Sequence, residues 1–182
     1  MLAYRDGDTA AFEALYLRYK GRLYRYLRHQ SGDAHIAEEL YHDVWLKVIG
    51  ARSQYEVAAK FSTWLFRIAH NRLIDHYRAQ GRNPLQCVDR PTDDPDSDEV
   101  SSIPAPAGHQ PEWQLDRKQL AHRLLQEIGK LPPPQREAFL LSQEADMSID
   151  EVASATGVNR ETAKSRLRYA MSKLRMRLQD LK

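Results

Sequence analysis

The sequence predicts an all-α protein made of two small helical domains joined by a flexible acidic, proline-rich linker. Three observations carry this reading. Apolar residues recur at helical spacing on both sides of the chain's middle. Strand-like alternation is absent. No proline precedes Pro84 or follows Pro134, and six of the nine fall between Pro84 and Pro111 among Asp, Ser and Gly108. Such a stretch buries too little apolar surface to offset the entropy of ordering it. The expected boundaries are 1–81 for the first domain, 82–112 for the linker and 113–182 for the second domain.

In the first domain Phe12, Leu15, Tyr16, Tyr19, Leu23, Tyr26 and Leu27 follow the i, i+3, i+4, i+7 rule and line one face of a long helix. Gly32 and Asp33 break and recap the chain. Ile36, Ala37, Leu40, Tyr41, Val44, Trp45 and Val48 form a second helix that ends near Gly50. After a polar stretch from Ala51 to Lys60, the residues Phe61, Trp64, Leu65, Ile68, Ala69 and Leu73 share the face of a third, stopped by Gly81 and Pro84. The second domain begins near Trp113 with a helix striped by Leu120, Leu124, Leu125 and Ile128. Gly129 and the run Pro132-Pro133-Pro134 close it. Pro134 opens the next helix, which carries Ala138, Phe139 and Leu141. Ser148 and Glu151 have the spacing of a capping box. Asn159 can cap a final helix with the stripe Leu167, Met171, Leu174, Leu178 and Leu181.

Composition narrows the function. The chain has 182 residues with 27 basic and 25 acidic side chains, a net charge of +2, and 29% charged residues. No apolar run is long enough to span a bilayer. The first residues lack a secretory pattern, so a cytoplasmic address and no membrane insertion are expected. One cysteine, Cys87, makes no internal disulfide, and the scattered histidines show no zinc spacing, so no metal and no cofactor are expected. A phosphate loop and a nucleophile elbow are both missing, which argues against an enzyme. Charge is unevenly placed: six acids lie between Asp89 and Glu99, whereas residues 159–182 hold eight bases and two acids. A basic end of this kind fits a polyanionic partner.

The sharpest local pattern runs from Ile149 to Leu167. Two helices joined by a short glycine-containing turn, with the small Ala153 where they approach, follow the helix-turn-helix plan. Gly157 supplies the positive-φ position, and Val152, Val158 and Leu167 plug the angle. The second helix then presents Arg160, Thr162, Lys164, Ser165, Arg166 and Arg168 behind Asn159, groups suited to phosphates and base edges in a major groove. In the first domain, Phe61, Trp64 and Tyr77 interleave with Lys60, Arg67, Arg72 and Arg78. Rings for stacking beside cations for phosphates is the pattern that holds single-stranded DNA. Phe61 and Trp64 also lie on the core stripe, so either role fits them; Lys60, Arg67, Asn71 and Arg72 are the plainer contacts.

These segments together resemble an extracytoplasmic-function sigma factor of the sigma-70 family. Pro133-Pro134-Gln135-Arg136-Glu137-Ala138-Phe139, Ser148-Ile149-Asp150-Glu151-Val152-Ala153 and Thr162-Ala163-Lys164-Ser165-Arg166-Leu167 are similar to its region four. Gly7 to Tyr16, Ala37 to Trp45 and Phe61 to Asn71 are similar to segments of its region two. The resemblance implies that 1–81 melts and reads the −10 element through Lys60, Phe61, Trp64, Arg67, Asn71 and Arg72. Loop 50–60 would frame a pocket for a flipped base. It implies that 113–182 reads the −35 element through Asn159, Arg160, Thr162, Lys164, Ser165, Arg166 and Arg168. It implies that Glu38, Glu39, His42 and Asp43 dock on core RNA polymerase, at the clamp helices of the largest subunit, and that the flap of the second-largest subunit and an anti-sigma factor are further partners. The family commonly has Gln at the position of His42, and often Arg at that of Tyr169. The alternative reading of the residues is a stand-alone helix-turn-helix regulator that binds its operator without polymerase.

Overall fold

The computed structural model describes residues 1–81, 120–121 and 123–179. The expected linker, its acidic run, Cys87, the segment around Trp113 and Leu181 lie outside them. The described elements are α1 (Leu2–Arg5), α2 (Thr9–Ser31), α3 (Ala34–Gly50), a 3-10 turn (Arg52–Gln54), α4 (Phe61–Ala79), α5 (120–121 and 123–129), α6 (Pro133–Glu144), α7 (Ile149–Thr156) and α8 (Arg160–Arg177). Among the described residues there is no strand, and no helix is long and apolar enough to cross a membrane.

Helix ends follow their punctuation. Asp8 accepts from the backbone N–H groups of Ala10 and Ala11 and starts α2. Gly32 closes α2 at φ 72°, and Asp33 caps α3 through the N–H groups of His35 and Ile36. Pro133 and Pro134 fill the first turn of α6, where no N–H donor is needed. The one helix without a periodic signal is α1, a single turn that places Tyr4 in the core.

Each half has its own apolar centre. In the first, Leu23, Leu27, Ala37, Leu40, Val44, Val48, Leu65 and Ala69 are buried between α2, α3 and α4. In the second, Ala138, Leu141, Val152, Ala163, Ala170 and Leu174 are buried between α6, α7 and α8. The two centres merge, because α6 lies on α2 and α7 lies on α4. The merger changes α4. Leu65, Ala69 and Leu73 of the expected stripe are buried, but Phe61, Trp64 and Ile68 are half-buried, and Ser62, Thr63, Phe66 and His70 are buried as well. Of these extra residues, Thr63 and His70 meet Glu151 and Glu137 of the other half. Phe66 meets Tyr26 of α2 edge-on, with centroids 5.4 Å apart.

Helix α5 departs from its stripe. Ile128 is buried, while Leu120 and Leu125 are 46% and 43% exposed. Its C-terminal end is the part that packs, with Glu127 held by Lys130 and Arg177.

Candidate nucleic-acid interface

The helix-turn-helix forms as its residues dictate. Ser148 Oγ accepts from the Glu151 N–H while the Glu151 carboxylate accepts from the Ser148 N–H, so α7 begins with a closed capping box. Gly157 sits at φ 69° with open space around its Cβ position, so a side chain there meets backbone strain rather than a clash. Asn159 Oδ1 accepts from the Thr162 N–H at 2.7 Å and starts α8, which commits that side chain to the cap. Thr162 carries the Ser165 hydroxyl on its carbonyl. Arg160 leans back across the turn to Asp150 at 3.0 Å. Lys164 and Arg168 are exposed, with the Arg168 guanidinium over the Tyr169 ring. Arg166 is half-buried and faces inward, lining a cleft with α4.

On the first half, the start of α4 is an aromatic shelf. Trp64 contacts Tyr55 edge-on at 5.0 Å and Phe61 at 5.8 Å, and Phe61 leans on Tyr19 at 5.2 Å. Tyr55 is the buried anchor of the 51–60 loop, and it fixes the loop to Trp64 while leaving Val57 66% exposed. Lys60, Arg67 and Asn71 are exposed around this shelf. Arg72 is turned aside and paired with Asp43 of α3. That pair joins one residue expected on DNA to one expected on polymerase, so neither side chain is spare in this arrangement. Glu38, Glu39 and His42 form an exposed edge of α3, with Leu46 and Ile49 also exposed on that helix.

Between the halves runs a polar network that periodicity does not reveal. Glu137 is 2% exposed; its Oε1 accepts from the Tyr26 hydroxyl at 3.2 Å and lies 2.5 Å from His70 Nδ1. Burial, then the Glu137 charge, hold the Tyr26 phenol well above its ordinary pKa, so it stays a donor. Arg25 grips Glu144 with two hydrogen bonds of 2.8 Å, which raise the pKa of the guanidinium. Glu151 accepts from the Thr63 hydroxyl at 2.7 Å and lies 3.7 Å from Lys60 Nζ. The Ser148 N–H, then Thr63, keep its carboxyl below the ordinary value of 4.5. Arg136 and the Tyr77 hydroxyl converge on Gln30 at the far end. Beside this network lies a cleft of about 650 Å³, lined by Asn71, Ile74 and Arg78 on α4, by the turn Thr156–Val158 and by Arg166.

The structure thus brings the −10 candidate Asn71 and the −35 candidate Arg166 to opposite sides of one cleft. It also adds Tyr26, Thr63, His70, Glu137 and Glu144, which the sequence reading did not single out. One signal was present: Glu137 stands three after Pro134 and four before Leu141, a charged residue on the buried stripe of α6.

His29, half-buried near Arg25, Arg28, Arg136 and Glu144, has its pKa lowered from 6.5, chiefly by burial. The unfolded chain therefore takes up a proton near pH 6.5 that the folded chain resists, so stability falls as pH drops through this range. Urea unfolding at about pH 7.5 and 5.5 is expected to show a larger loss for the wild type than for His29→Gln.

The chain matches known proteins along most of its length. Sigma-70 region 2 matches residues 15–83, and Sigma-70 region 4 matches residues 121–174. The RNA polymerase sigma factor CarQ of Myxococcus xanthus is 31% identical over 100% of this chain and 97% of its own length. The ECF RNA polymerase sigma factor SigW of Bacillus subtilis is 27% identical over 97% and 94%. Among solved structures, the sigma factor RpoE of Bartonella quintana, in complex with the anti-sigma factor NepR, shares the fold with a TM-score of 0.65. It is 24% identical, covering 93% of this chain and 97% of that one. CnrH in complex with the cytosolic domain of CnrY gives 0.59 at 22% identity, over 97% and 92%.

Proposed function

The chain belongs to the extracytoplasmic-function group of the sigma-70 family, and from that premise we propose how its residues divide the work of starting transcription. It is an alternative sigma factor that binds core RNA polymerase, directs it to specific promoters and helps open the −10 region. Sigma factors are initiation factors; in this reading the chemistry of RNA synthesis stays with the core enzyme, the chain is not itself an enzyme, and it acts in the cytoplasm. Its partners are core polymerase, promoter DNA and an anti-sigma factor.

Residues 1–81 form the −10 unit, 113–182 form the −35 unit, and 82–112 join them. The observation that carries the division is the pairing, in one chain, of an aromatic shelf ringed by cations with a capped helix-turn-helix whose second helix is basic. The shelf of Phe61 and Trp64, backed by Tyr55, suits an unstacked base, and Lys60, Arg67 and Asn71 suit the strand that carries it. Lys164, Arg166 and Arg168 suit the duplex. Glu38, Glu39 and His42 form the docking edge for the clamp helices, with Asp43 at its border. Run-off transcription with purified core polymerase tests the whole reading. Promoter binding by the free chain as tight as by its polymerase complex would instead favour a stand-alone regulator.

The loop has its own expected result. Exchanging residues 51–60 for a Gly/Ser segment of equal length leaves core binding intact, because α3 is untouched, and removes the Tyr55–Trp64 anchor. Permanganate reactivity of the −10 region is expected to vanish; normal reactivity would refute the flipped-base pocket.

A further inference from the structure

We propose that α1 is a positioning element for loop 51–60: Tyr4 and Arg5 hold the loop in the shape that receives a flipped base. The proposal rests on the reading of that loop as the base pocket and adds what sets its shape. Helix α1 lies ahead of the segment, 15–83, that matches Sigma-70 region 2. It packs on α2 and on the 3-10 turn that opens the loop. Tyr4 is buried, with its ring 4.9 Å from that of Phe12, and the Arg52 guanidinium lies over it at 4.6 Å. Beside it, Arg5 Nη1 donates to the Tyr55 carbonyl at 3.4 Å. The loop is thereby held at Arg52 and at Tyr55, the two ends of a turn that the Tyr55 N–H closes onto the Arg52 carbonyl.

The loop needs such a hold. Ser53, Gln54 and residues 56–60 are exposed, and Tyr55 is its one buried residue. A segment that became ordered only when the base arrived would take the entropy of ordering out of the base's binding. The two tethers from α1 and the Tyr55 ring on Trp64 order it beforehand. Helix α1 is itself fixed to α2. The Asp8 N–H donates to the Ala3 carbonyl at 2.9 Å, and Gly7, at φ 115°, turns the chain into the Asp8 cap. A β-carbon at Gly7 would stand 3.9 Å from Arg52 Nη2, so the guanidinium reaches this joint as well. Arg52 is thus a cation of the −10 unit whose charge is turned onto a ring of its own chain. A contact of that kind shifts an equilibrium about three- to tenfold.

The test uses the full chain. Tyr4→Leu keeps an apolar side chain beside Phe12 and removes the ring under Arg52. It is expected to speed amide hydrogen exchange of residues 51–60 about three- to tenfold, read by mass spectrometry, while peptides from α3 and α4 stay protected. With core polymerase it is expected to lower permanganate reactivity of the −10 region by about the same factor, with core binding unchanged. Tyr4→Phe keeps the ring and is expected to match the wild type in both measurements. Should Tyr4→Leu fold poorly by circular dichroism, Arg52→Gln frees the ring without entering the core and is expected to give the same faster exchange. The log–log salt slope of promoter binding is expected to hold in Arg52→Gln; a slope lowered by about one would make Arg52 a phosphate contact and overturn its positioning role. A folded Tyr4→Leu chain that behaves as the wild type, or a Tyr4→Phe chain as impaired as Tyr4→Leu, overturns the proposal. The Gly/Ser replacement of 51–60 separates it from the pocket reading. If that replacement abolishes −10 opening and Tyr4→Leu leaves loop protection unchanged, only the role of α1 is refuted. If Tyr4→Leu loosens the loop and the replacement leaves opening normal, the pocket is refuted and α1 remains the brace of the loop.

Discussion

Replacing Arg160, Lys164 and Arg166 together by alanine is expected to cut transcription from a −35-dependent promoter about a hundredfold or more while the protein remains folded. Folding is spared because Lys164 is exposed, Arg160 keeps 57% of its side chain in solvent, and Arg166 is half-buried at a cleft rather than in the core. The exposed charges of Arg160 and Lys164 contribute about 0–1 kcal/mol each to stability. On DNA the same groups do more. A side chain that reads a base edge is worth roughly 1–3 kcal/mol at one position, and one that touches phosphate acts on all sequences and lowers the log–log salt slope by about one. Single variants sort them. Arg166→Ala is expected to weaken all promoters alike, whereas Arg160→Ala or Lys164→Ala is expected to relax one −35 position. Arg160 must leave Asp150 to do so, which makes Asp150→Ala a gain-of-binding control. Unchanged run-off transcription in the folded triple variant would remove α8 from the promoter.

Glu137→Ala is expected to be the most destabilising polar substitution in the described residues, at about 3–5 kcal/mol. The carboxylate is 2% exposed, and its loss leaves the buried Tyr26 hydroxyl and the His70 ring without their shared partner. Tyr26→Phe removes one hydrogen bond and keeps the ring on Phe66, so its cost is expected to stay near 1 kcal/mol. Urea unfolding of both variants checks the order. A Glu137→Ala chain as stable as Tyr26→Phe would show that water replaces the carboxylate and that the network carries little of the contact between the halves.

The elements and caps were legible in the sequence because they are local. The 3.6-residue stripe of α2, Gly32 followed by Asp33, the Ser148–Glu151 box and Asn159 before α8 each depend on residues within one or two turns. Much of the candidate site was legible for the same reason, since Lys60, Arg67 and Asn71 on α4, or Lys164 and Arg168 on α8, project from helices whose phase is known. Seven-residue spacing of Glu137, Glu144 and Glu151 could be counted as well, yet it meant nothing until something stood opposite.

Tertiary structure decided what stood opposite. The stripe of α4 read from sequence ran through Phe61, Trp64 and Ile68, which are half-buried, and omitted Ser62, Thr63, Phe66 and His70, which are buried, Thr63 and His70 on carboxylates of the other half. Periodicity reports one apolar face per helix; a helix pressed between two bundles has a second face, and polar residues on it are satisfied by partners far along the chain. Tyr26 and Glu137, or Arg25 and Glu144, lie 111 and 119 residues apart. No local pattern links them. The same physics turned Arg72 toward Asp43 and Arg166 toward α4, where charge alone had set each of them on a partner molecule. Residue types and spacing determined the helices, the helix-turn-helix and the family; the pairing of the two halves, and which cations remain open to DNA, came from packing between distant segments.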